Sequence, residues 1–316
     1  MNRREFIKRS AITTGAVLAG GTLPEFNSRR IIIIRLLGGN DGLNTVVPYR
    51  DDLYYQARPT LALHAHSLIR VSSTHGLHPA LEPLLPIWDQ GFVTVLNHVG
   101  FPEPEPTHHK AILNWQTGTP TGREGKRWAE RYGMTSPLAD LESAESIDLN
   151  CESPRSVNAN HSVNAFAQQL RYIARTIQSG SSNLFYQASL SGFDTHVEQG
   201  PQQAAMLKTF ASSVNALITD LQATGHFRET VIFCYSEFGR SLNENKLGGT
   251  HHGAGNCVFL FGEKLRAPGI YNETRVSVTA HGGIPVTIDY RRVYMGLLDQ
   301  WLGNSKVSLF EPLALF

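Results

Sequence analysis

Acidic and histidine side chains stand beside several short apolar runs of this chain. The segment SLSGFDTHVEQG, residues 189–200, places Asp194 and His196 two positions apart, directly after one such run. Glu237 follows another run, and GGTHHGAGN places His251 and His252 just ahead of a third. Carboxylate and imidazole groups from separate loops are ligands that zinc and manganese accept. Each residue alone is an ordinary turn or surface residue, but together they predict a divalent metal site.

Two further segments carry polar side chains after apolar runs. GGNDGLN contains Asn40 and Asp41, and PTHHKA contains Thr107 and His108. Thr107 precedes a helical pattern, so its first interpretation is a helix N-cap. The start of a helix also binds anions, and a hydroxyl there beside a metal ion is a candidate nucleophile toward a phosphate ester. His108 and His98 are both candidates for proton transfer, and the sequence does not select between them.

The elements that must position these side chains alternate along the chain. Continuous apolar runs predict five strands, at residues 31–37, 92–100, 183–190, 230–239 and 256–262. Apolar residues at three- and four-residue steps predict helices at 162–178 and 202–222, and Asp289 is expected to cap a C-terminal helix. This alternation predicts an α/β fold with a doubly wound, mostly parallel sheet and helices on both faces. The polar segments would then meet at the edge formed by the carboxyl ends of the strands.

Length and composition fit one domain with a sizeable core. The chain has 316 residues, of which 41% are hydrophobic and 17% charged, and its formal net charge is +1. Such a balance gives no reason to expect nucleic acid or an anionic membrane as a partner. We expect a single domain over residues 30–316, with an irregular insertion near 118–160, where Gly, Thr, Ser and Pro are frequent.

The three cysteines do not suggest a disulfide framework or an iron–sulfur cluster. They are odd in number and have no CxxC spacing. Cys234 and Cys257 lie in apolar, strand-like runs and are expected to be buried, unreactive thiols.

The first residues have the layout of an export signal. MNRREFIKRSAITTGAVLAGG begins with basic residues, continues with a short apolar stretch and ends in small residues. The pair Arg3–Arg4, followed by Phe6, resembles a twin-arginine signal. Residues 1–29 are therefore expected to be a signal and linker. The mature protein is expected to be periplasmic or otherwise exported, without stable membrane insertion.

Seven motifs together resemble a known family. They are GGNDGLNTVVPY, GLHPAL, THHKA, GFDTH, SEFGR, GTHHGAGN and VTIDYRRVYMGLLDQWLG. The set is similar to a family of twin-arginine-exported, sulfatase-like bacterial proteins of the alkaline phosphatase superfamily, largely of unknown function. The resemblance implies an alkaline-phosphatase-like fold, a hydroxyl nucleophile at Thr107, and one or two zinc or manganese ions. The ligands that it implies are Asp41, Asp194, His196, Glu237 and His252.

The leading functional hypothesis is a metal-dependent hydrolase of phosphate or sulfate esters. Thr107 and His108 would be catalytic, and Asn40 and Arg240 would bind a small anionic substrate, although an ion pair is an equal interpretation of Arg240. An alternative is an exported binding or assembly protein that keeps the fold without catalysis. It is motivated by Glu237-Phe238, where related phosphatases have Asp-His, and by His251, where close relatives have an acid.

A third hypothesis is a serine esterase. GGND resembles the oxyanion-hole block of small esterases, but the chain lacks the Gly-Asp-Ser context of their nucleophile. The sequence leaves the oligomeric state open.

Overall fold

The computed structural model describes residues 29–103, 105, 107–119, 128, 159–273, 275–280, 282–304 and 310–316, with the backbone alone for 159–164. The predicted twin-arginine segment, Cys151 and most of the predicted insertion lie outside these residues. None of the helices within the described ranges is long and apolar enough to cross a membrane.

Twelve strands are present in the described residues. They are β1 (Arg30–Leu37), β2 (Val46–Val47), β3 (Ile69–Arg70), β4 (Gly76–Leu77), β5 (Val93–Gly100), β6 (Phe185–Ser191), β7 (Thr230–Tyr235), β8 (Arg240–Glu244), β9 (Thr250–His252), β10 (Asn256–Phe261), β11 (Gly269–Ile270) and β12 (Ile288–Asp289). A seven-stranded sheet has the order β11-β5-β10-β7-β1-β6, with β12 also paired to β5. Strands β2, β4 and β3 form a small second sheet, and β8 and β9 form a hairpin.

The large sheet confirms the predicted fold class. β1 is parallel to both β6 and β7. β10 is antiparallel to β5 and to β7, so β5 runs in the same direction as β1, β6 and β7. The carboxyl ends of these four strands and the start of β10 therefore share one edge.

The antiparallel direction of β10 refines the sequence prediction. The connection from β7 to β10 consists of the β8–β9 hairpin and contains no helix. A parallel neighbour needs a crossover of a dozen or more residues, usually helical, and this connection returns directly instead. The fourth strand also ends earlier than predicted, at Tyr235, because the next residues leave the sheet and Gly239 pairs with Ala254 (N···O 3.0 Å).

Helices cover both faces of the sheet. They are α1 (Gly42–Thr45), α2 (Asp52–Ala57), α3 (Leu85–Asp89), α4 (His108–Thr117), α5 (Ala159–Gln178), α6 (Gln199–Ala223) and α7 (Tyr290–Gly296), with 3₁₀ turns at Pro79–Leu84 and Phe227–Glu229 and a π-helical turn at Leu297–Trp301. The predicted helices over 162–178 and 202–222 correspond to α5 and α6. Asp289 caps α7 as predicted, since its carboxylate accepts from the Arg291 amide.

Successive side chains of β1 face opposite sides of the sheet, so the core has two layers. Ile32 and Ile34 pack with α5 and α6, whereas Ile31 and Ile33 pack with α4 and α7. All four isoleucines are at most 6% exposed, as expected for a strand buried on both faces. This packing fixes the strand ends from which the polar segments project.

Candidate metal centre

Side chains from four segments converge at the shared edge of the sheet. Asp194 follows β6, Glu237 follows β7, His108 begins α4 and His252 ends β9. Asp194 Oδ1 lies 2.9 Å from His196 Nε2 and 3.2 Å from His252 Nε2. Its second oxygen, Oδ2, lies 3.6 Å from His108 Nε2. The structure thus brings together five residues that the sequence singled out.

The spacing of these donor atoms fits a divalent ion. A tetrahedral zinc ion with ligands at about 2.0–2.2 Å places the ligand atoms about 3.3 Å apart. Asp194 Oδ1, His196 Nε2 and His252 Nε2 are separated by 2.9, 3.2 and 3.2 Å, close to that spacing. Ligand atoms of His108, Asp194 and His252 also lie within 4.8 Å of one another. The four side chains are 22–42% exposed, so an ion can reach them from solvent.

A buried arginine holds the Asp194 carboxylate in place. Arg240 is 1% exposed, and its Nη2 donates to Asp194 Oδ1 at 2.9 Å. Burial raises the pKa of Asp194, but hydrogen bonds from His108, His252 and Arg240 outweigh burial and hold that pKa well below its usual range. Asp194 is therefore a carboxylate ready to bind a cation at neutral pH.

Arg240 has no nitrogen left for a substrate. Nε donates to Gly39 O at 2.6 Å and Nη1 to Thr250 O at 3.3 Å. Besides Asp194, Nη2 donates to the carbonyl oxygens of Gly38 and Phe193. Of the two interpretations of Arg240, the ion pair is the one that the contacts support.

We call Asp194, His108, His196 and His252 the cluster. Glu237 contacts it through His108. The Nδ1 of His108 lies 2.7 Å from Glu237 Oε1, which also accepts from the Gly38 amide at 2.8 Å. The Glu237 side chain is 1% exposed, and Ser236 Oγ lies 3.2 Å from its Oε2. Burial lowers the pKa of His108, but Asp194 and Glu237 more than compensate and raise it to about 9. His108 is thus an imidazolium held between two carboxylates.

Asp41 is bound by protein groups. Its Oδ2 lies 2.6 Å from Arg58 Nη1 and also accepts from Gln199 Nε2, and both side chains of the Asp41–Arg58 pair are at most 1% exposed. Its Oδ1 caps α1 by accepting from the Asn44 amide. The resemblance implies a metal ligand at Asp41, and the structure places this residue in a buried ion pair.

Asn40 is likewise used inside the protein. It is fully buried, and its Oδ1 accepts from Thr45 Oγ1 at 2.9 Å and from Gln203 Nε2 at 2.8 Å. Its Nδ2 lies 3.4 Å from Asn256 Oδ1. Because its side chain is buried in these contacts, Asn40 offers no exposed surface for the substrate binding that the sequence predicted.

Thr107 lies at the N-cap position of α4 without capping it. Its hydroxyl donates to Glu105 Oε1 at 2.8 Å instead of accepting from an α4 amide, and the residue is exposed. Thr107, the predicted nucleophile, is therefore exposed to solvent and hydrogen-bonded to the Glu105 carboxylate.

The other predicted histidines lie outside the cluster. His98 lines a pocket that no cluster residue lines, and burial lowers its pKa to about 4. It has φ 58° at the point where the register between β5 and β10 shifts. His251 is exposed, next to His252, and its amide donates to Ser241 Oγ at 3.0 Å.

The two described cysteines are buried free thiols, as predicted. Burial raises the pKa of Cys257 to about 12 and that of Cys234 well above its usual value. Neither thiol is poised for chemistry.

Sequence reasoning missed three residues around the site. Glu105 accepts from Thr107, Arg58 neutralises Asp41, and Asn245 Nδ2 donates to His196 O at 2.9 Å. Arg58 carried the one available signal, because it is the only basic residue of the segment DLYYQARPTLAL, which is rich in apolar residues. Residue type or spacing gave no such signal for Glu105 and Asn245.

Comparisons with known proteins place the chain in a family. A family model described as "Protein of unknown function (DUF1501)" matches residues 116–306. Among curated proteins, none matches the chain significantly.

Several solved structures have a similar arrangement of elements. One is the lipoteichoic acid synthase LtaP from Listeria monocytogenes, at 10% identity and a TM-score of 0.42, covering 82% of this chain and 73% of that chain. A second is a protein in the alkaline phosphatase superfamily from Vibrio parahaemolyticus, at 9% identity and a TM-score of 0.42, covering 86% of this chain and 66% of that chain. A third is a phosphonate monoester hydrolase from Silicibacter pomeroyi, at 8% identity and a TM-score of 0.40, covering 87% of this chain and 73% of that chain. Likenesses this distant do not identify a substrate for this chain.

Proposed function

Because the chain belongs to the family described as protein of unknown function (DUF1501), its function has to come from its site, and we propose a metal-dependent hydrolase of phosphate or sulfate esters. The observation that carries the proposal is the convergence of Asp194, His196 and His252, whose donor atoms lie 2.9–3.2 Å apart in a solvent-accessible cluster. A carboxylate and two imidazoles are a set that zinc and manganese accept.

In this proposal Asp194, His196 and His252 hold the ion, and Arg240 fixes Asp194. When bound, the ion would supply positive charge to the ester oxygens on which negative charge develops. The Asp194 carboxylate is ionised at neutral pH, because hydrogen bonds from three neighbours stabilise its charge. The small anionic ester would lie at the N-terminus of α4, whose free amides favour an anion.

Thr107 is the proposed nucleophile. Its Oγ1 would form a bond to phosphorus or sulfur while its proton passes to Glu105, which already accepts that hydrogen bond at 2.8 Å. The ester bond to the alcohol breaks, and His108 donates the proton that the leaving oxygen needs. Water then attacks the threonine ester and gives a proton to His108, while the bond to Oγ1 breaks and Glu105 returns its proton to the threonine oxygen.

We also propose that this reaction takes place outside the cytoplasm. The support is the N-terminal sequence, with its paired arginines and short apolar stretch.

Elemental analysis of the purified full chain, followed by a phosphate and sulfate ester screen, tests the proposal. Wild type is expected to retain zinc or manganese and to hydrolyse at least one ester. Asp194→Asn is expected to lose the ion and the activity together. Thr107→Val is expected to keep the ion and lose turnover by at least about 100-fold, since it removes only the nucleophile. A wild-type chain that stays folded but takes up no divalent ion would refute the proposal.

A second candidate function is an exported binding or assembly protein with one structural ion. It is favoured by Asn40 and Arg240, whose side chains are used inside the protein and not offered to a substrate. Under this alternative, wild type binds an ion but hydrolyses no ester, and Thr107→Val changes nothing. The same experiment therefore separates the two functions.

A further inference from the structure

We infer that this chain binds a single divalent ion, and that Asp41 and Glu237 position the site instead of ligating a second ion. The inference rests on the proposed metal centre but not on the proposed catalysis. It is drawn from what each of the two carboxylates contacts.

The Asp41 carboxylate is neutralised by the protein. Arg58 Nη1 lies 2.6 Å from Oδ2, and the same oxygen accepts from Gln199. Asp194 also pairs with an arginine, but its side chain is 22% exposed and its Oδ1 lies within 3.2 Å of two imidazole nitrogens, whereas Asp41 is 1% exposed. Because both side chains of the Asp41–Arg58 pair are at most 1% exposed, an ion would also have to displace a buried arginine.

The contacts of Arg58 and Gln199 show what Asp41 does instead. Arg58 Nε and Nη2 donate to Leu242 O and Ser241 O, both at 2.8 Å, on β8. Gln199 Oε1 accepts from Thr250 Oγ1 at 2.5 Å, on β9. Asp41 thus holds two side chains that bind the two strands of the β8–β9 hairpin, and β9 carries His252.

Glu237 is also held by protein groups, chiefly through Oε1. Oε1 accepts from His108 Nδ1 at 2.7 Å and from the Gly38 amide at 2.8 Å, while Oε2 lies 3.2 Å from Ser236 Oγ. A carboxylate that binds one ring nitrogen of a histidine turns the other toward a metal. Here the second nitrogen, His108 Nε2, faces Asp194. Glu237 therefore fixes the orientation of His108, whose Nε2 lies beside the ligand Asp194.

Counting bound ions tests the inference. The wild-type chain, dialysed against excess zinc and separately against manganese, is expected to retain one equivalent by elemental analysis. Glu237→Gln keeps an oxygen acceptor for His108 and Gly38, and it should still bind one equivalent, with affinity lowered about 10- to 100-fold. Asp194→Asn, a matched change at a proposed ligand, should bind none.

Asp41 is tested by a double variant, because Asp41→Asn alone would leave Arg58 buried without its charge partner. Asp41→Asn combined with Arg58→Met removes both charges and is expected to bind one equivalent. Two equivalents in wild type, falling to one in Glu237→Gln or in the double variant, would overturn the inference. One equivalent without ester hydrolysis would leave the inference standing and refute the proposed function. No bound ion in wild type would refute both.

Discussion

At the residue scale, Gly249 determines where His196 can lie. A Cβ added at Gly249 would come within 2.2 Å of the carbonyl carbon and oxygen of His196, and within 2.7 Å of the Val197 amide. The hairpin turn and the loop that carries His196 therefore pack backbone against backbone. The position needs glycine for space, since any side chain would push His196 away from Asp194.

Gly249→Ala is expected to lower the free energy of unfolding by about 1–3 kcal/mol, the usual cost of overpacking, and to weaken zinc binding. Urea unfolding and zinc titration measure the two effects. Gly200→Ala is the control, because a Cβ at Gly200 meets nothing within 4 Å. Equal zinc affinity in wild type and Gly249→Ala would show that the turn does not position His196.

His78 gives the folded chain a predictable pH dependence. Burial lowers its pKa from 6.5 to about 4, and its Nδ1 accepts from the Ala80 amide at 3.0 Å. Between these values the unfolded chain binds more protons than the folded chain, so the stability that neutral His78 contributes is lost as the pH falls from about 6.5 to 4. The shift corresponds to up to about 3 kcal/mol.

His78→Asn keeps an acceptor at this N-cap and removes the titrating group. Free energies of unfolding at pH 7 and pH 4 are expected to show a smaller pH-dependent loss in the variant, by up to about 3 kcal/mol. His98, with a similar pKa, should supply a remaining slope in both proteins. Parallel pH profiles for wild type and His78→Asn would contradict the assignment.

At the element scale, the β8–β9 hairpin carries the site's arginine and one of its histidines. Asn245 ties the hairpin turn to the loop after β6, since its Nδ2 donates to His196 O and its Oδ1 accepts from the amides of Leu247 and Gly249. Arg240 joins the hairpin to the ends of β1 and β6. The geometry of the centre thus depends on how this hairpin is anchored.

Arg240→Lys is expected to destabilise the chain by about 3–5 kcal/mol, because one ammonium cannot reach the carbonyls and the carboxylate that the guanidinium binds. Urea unfolding measures the loss, and zinc affinity should fall with it as Asp194 is released. Arg292→Lys is the matched control, since the Arg292–Glu311 pair is 3.7 Å long, and Glu311 is 86% exposed. It should change stability by less than about 1 kcal/mol.

At the scale of the whole molecule, ion binding and folding are linked. The proposed ligands come from the loop after β6 and from β9, and these segments, which α6 and β7 separate in the chain, meet only in the folded state. Zinc at about 100 times its Kd is therefore expected to raise the free energy of unfolding by about 2.7 kcal/mol. Thermal unfolding of wild type should shift upward with zinc, and that of Asp194→Asn should not. An equal shift in both would place the ion elsewhere.

The export prediction also concerns the whole chain. Replacing Arg3 and Arg4 together by lysine is expected to leave the protein in the cytoplasm, because the signal is read by its paired arginines. Cell fractionation with an antibody against the chain measures the distribution, and Arg9→Lys is the matched control. Undiminished export of the double variant would exclude the twin-arginine route.

The sequence by itself determined the elements and the residue types of the candidate site. Apolar periodicity is a local property, so the strands β1, β5, β6, β7 and β10, the helices α5 and α6, and the cap at Asp289 could be predicted from neighbouring residues. The placement of polar segments beyond the strand ends followed from the parallel sheet. It gave a wider set of polar residues at one edge, and the family resemblance then singled out Asp194, His196 and His252 with Asp41 and Glu237 as ligands.

Only the tertiary structure decided which carboxylates can face an ion. Asp41 and Asp194 each follow a strand of the same sheet, and nothing local distinguishes them. Arg58, 17 positions away, encloses Asp41, whereas Arg240, 46 positions away, binds Asp194 and leaves it 22% exposed. Whether a carboxylate is buried in an ion pair or remains accessible to a ligand depends on residues from distant segments. Sequence periodicity is local and does not predict those residues.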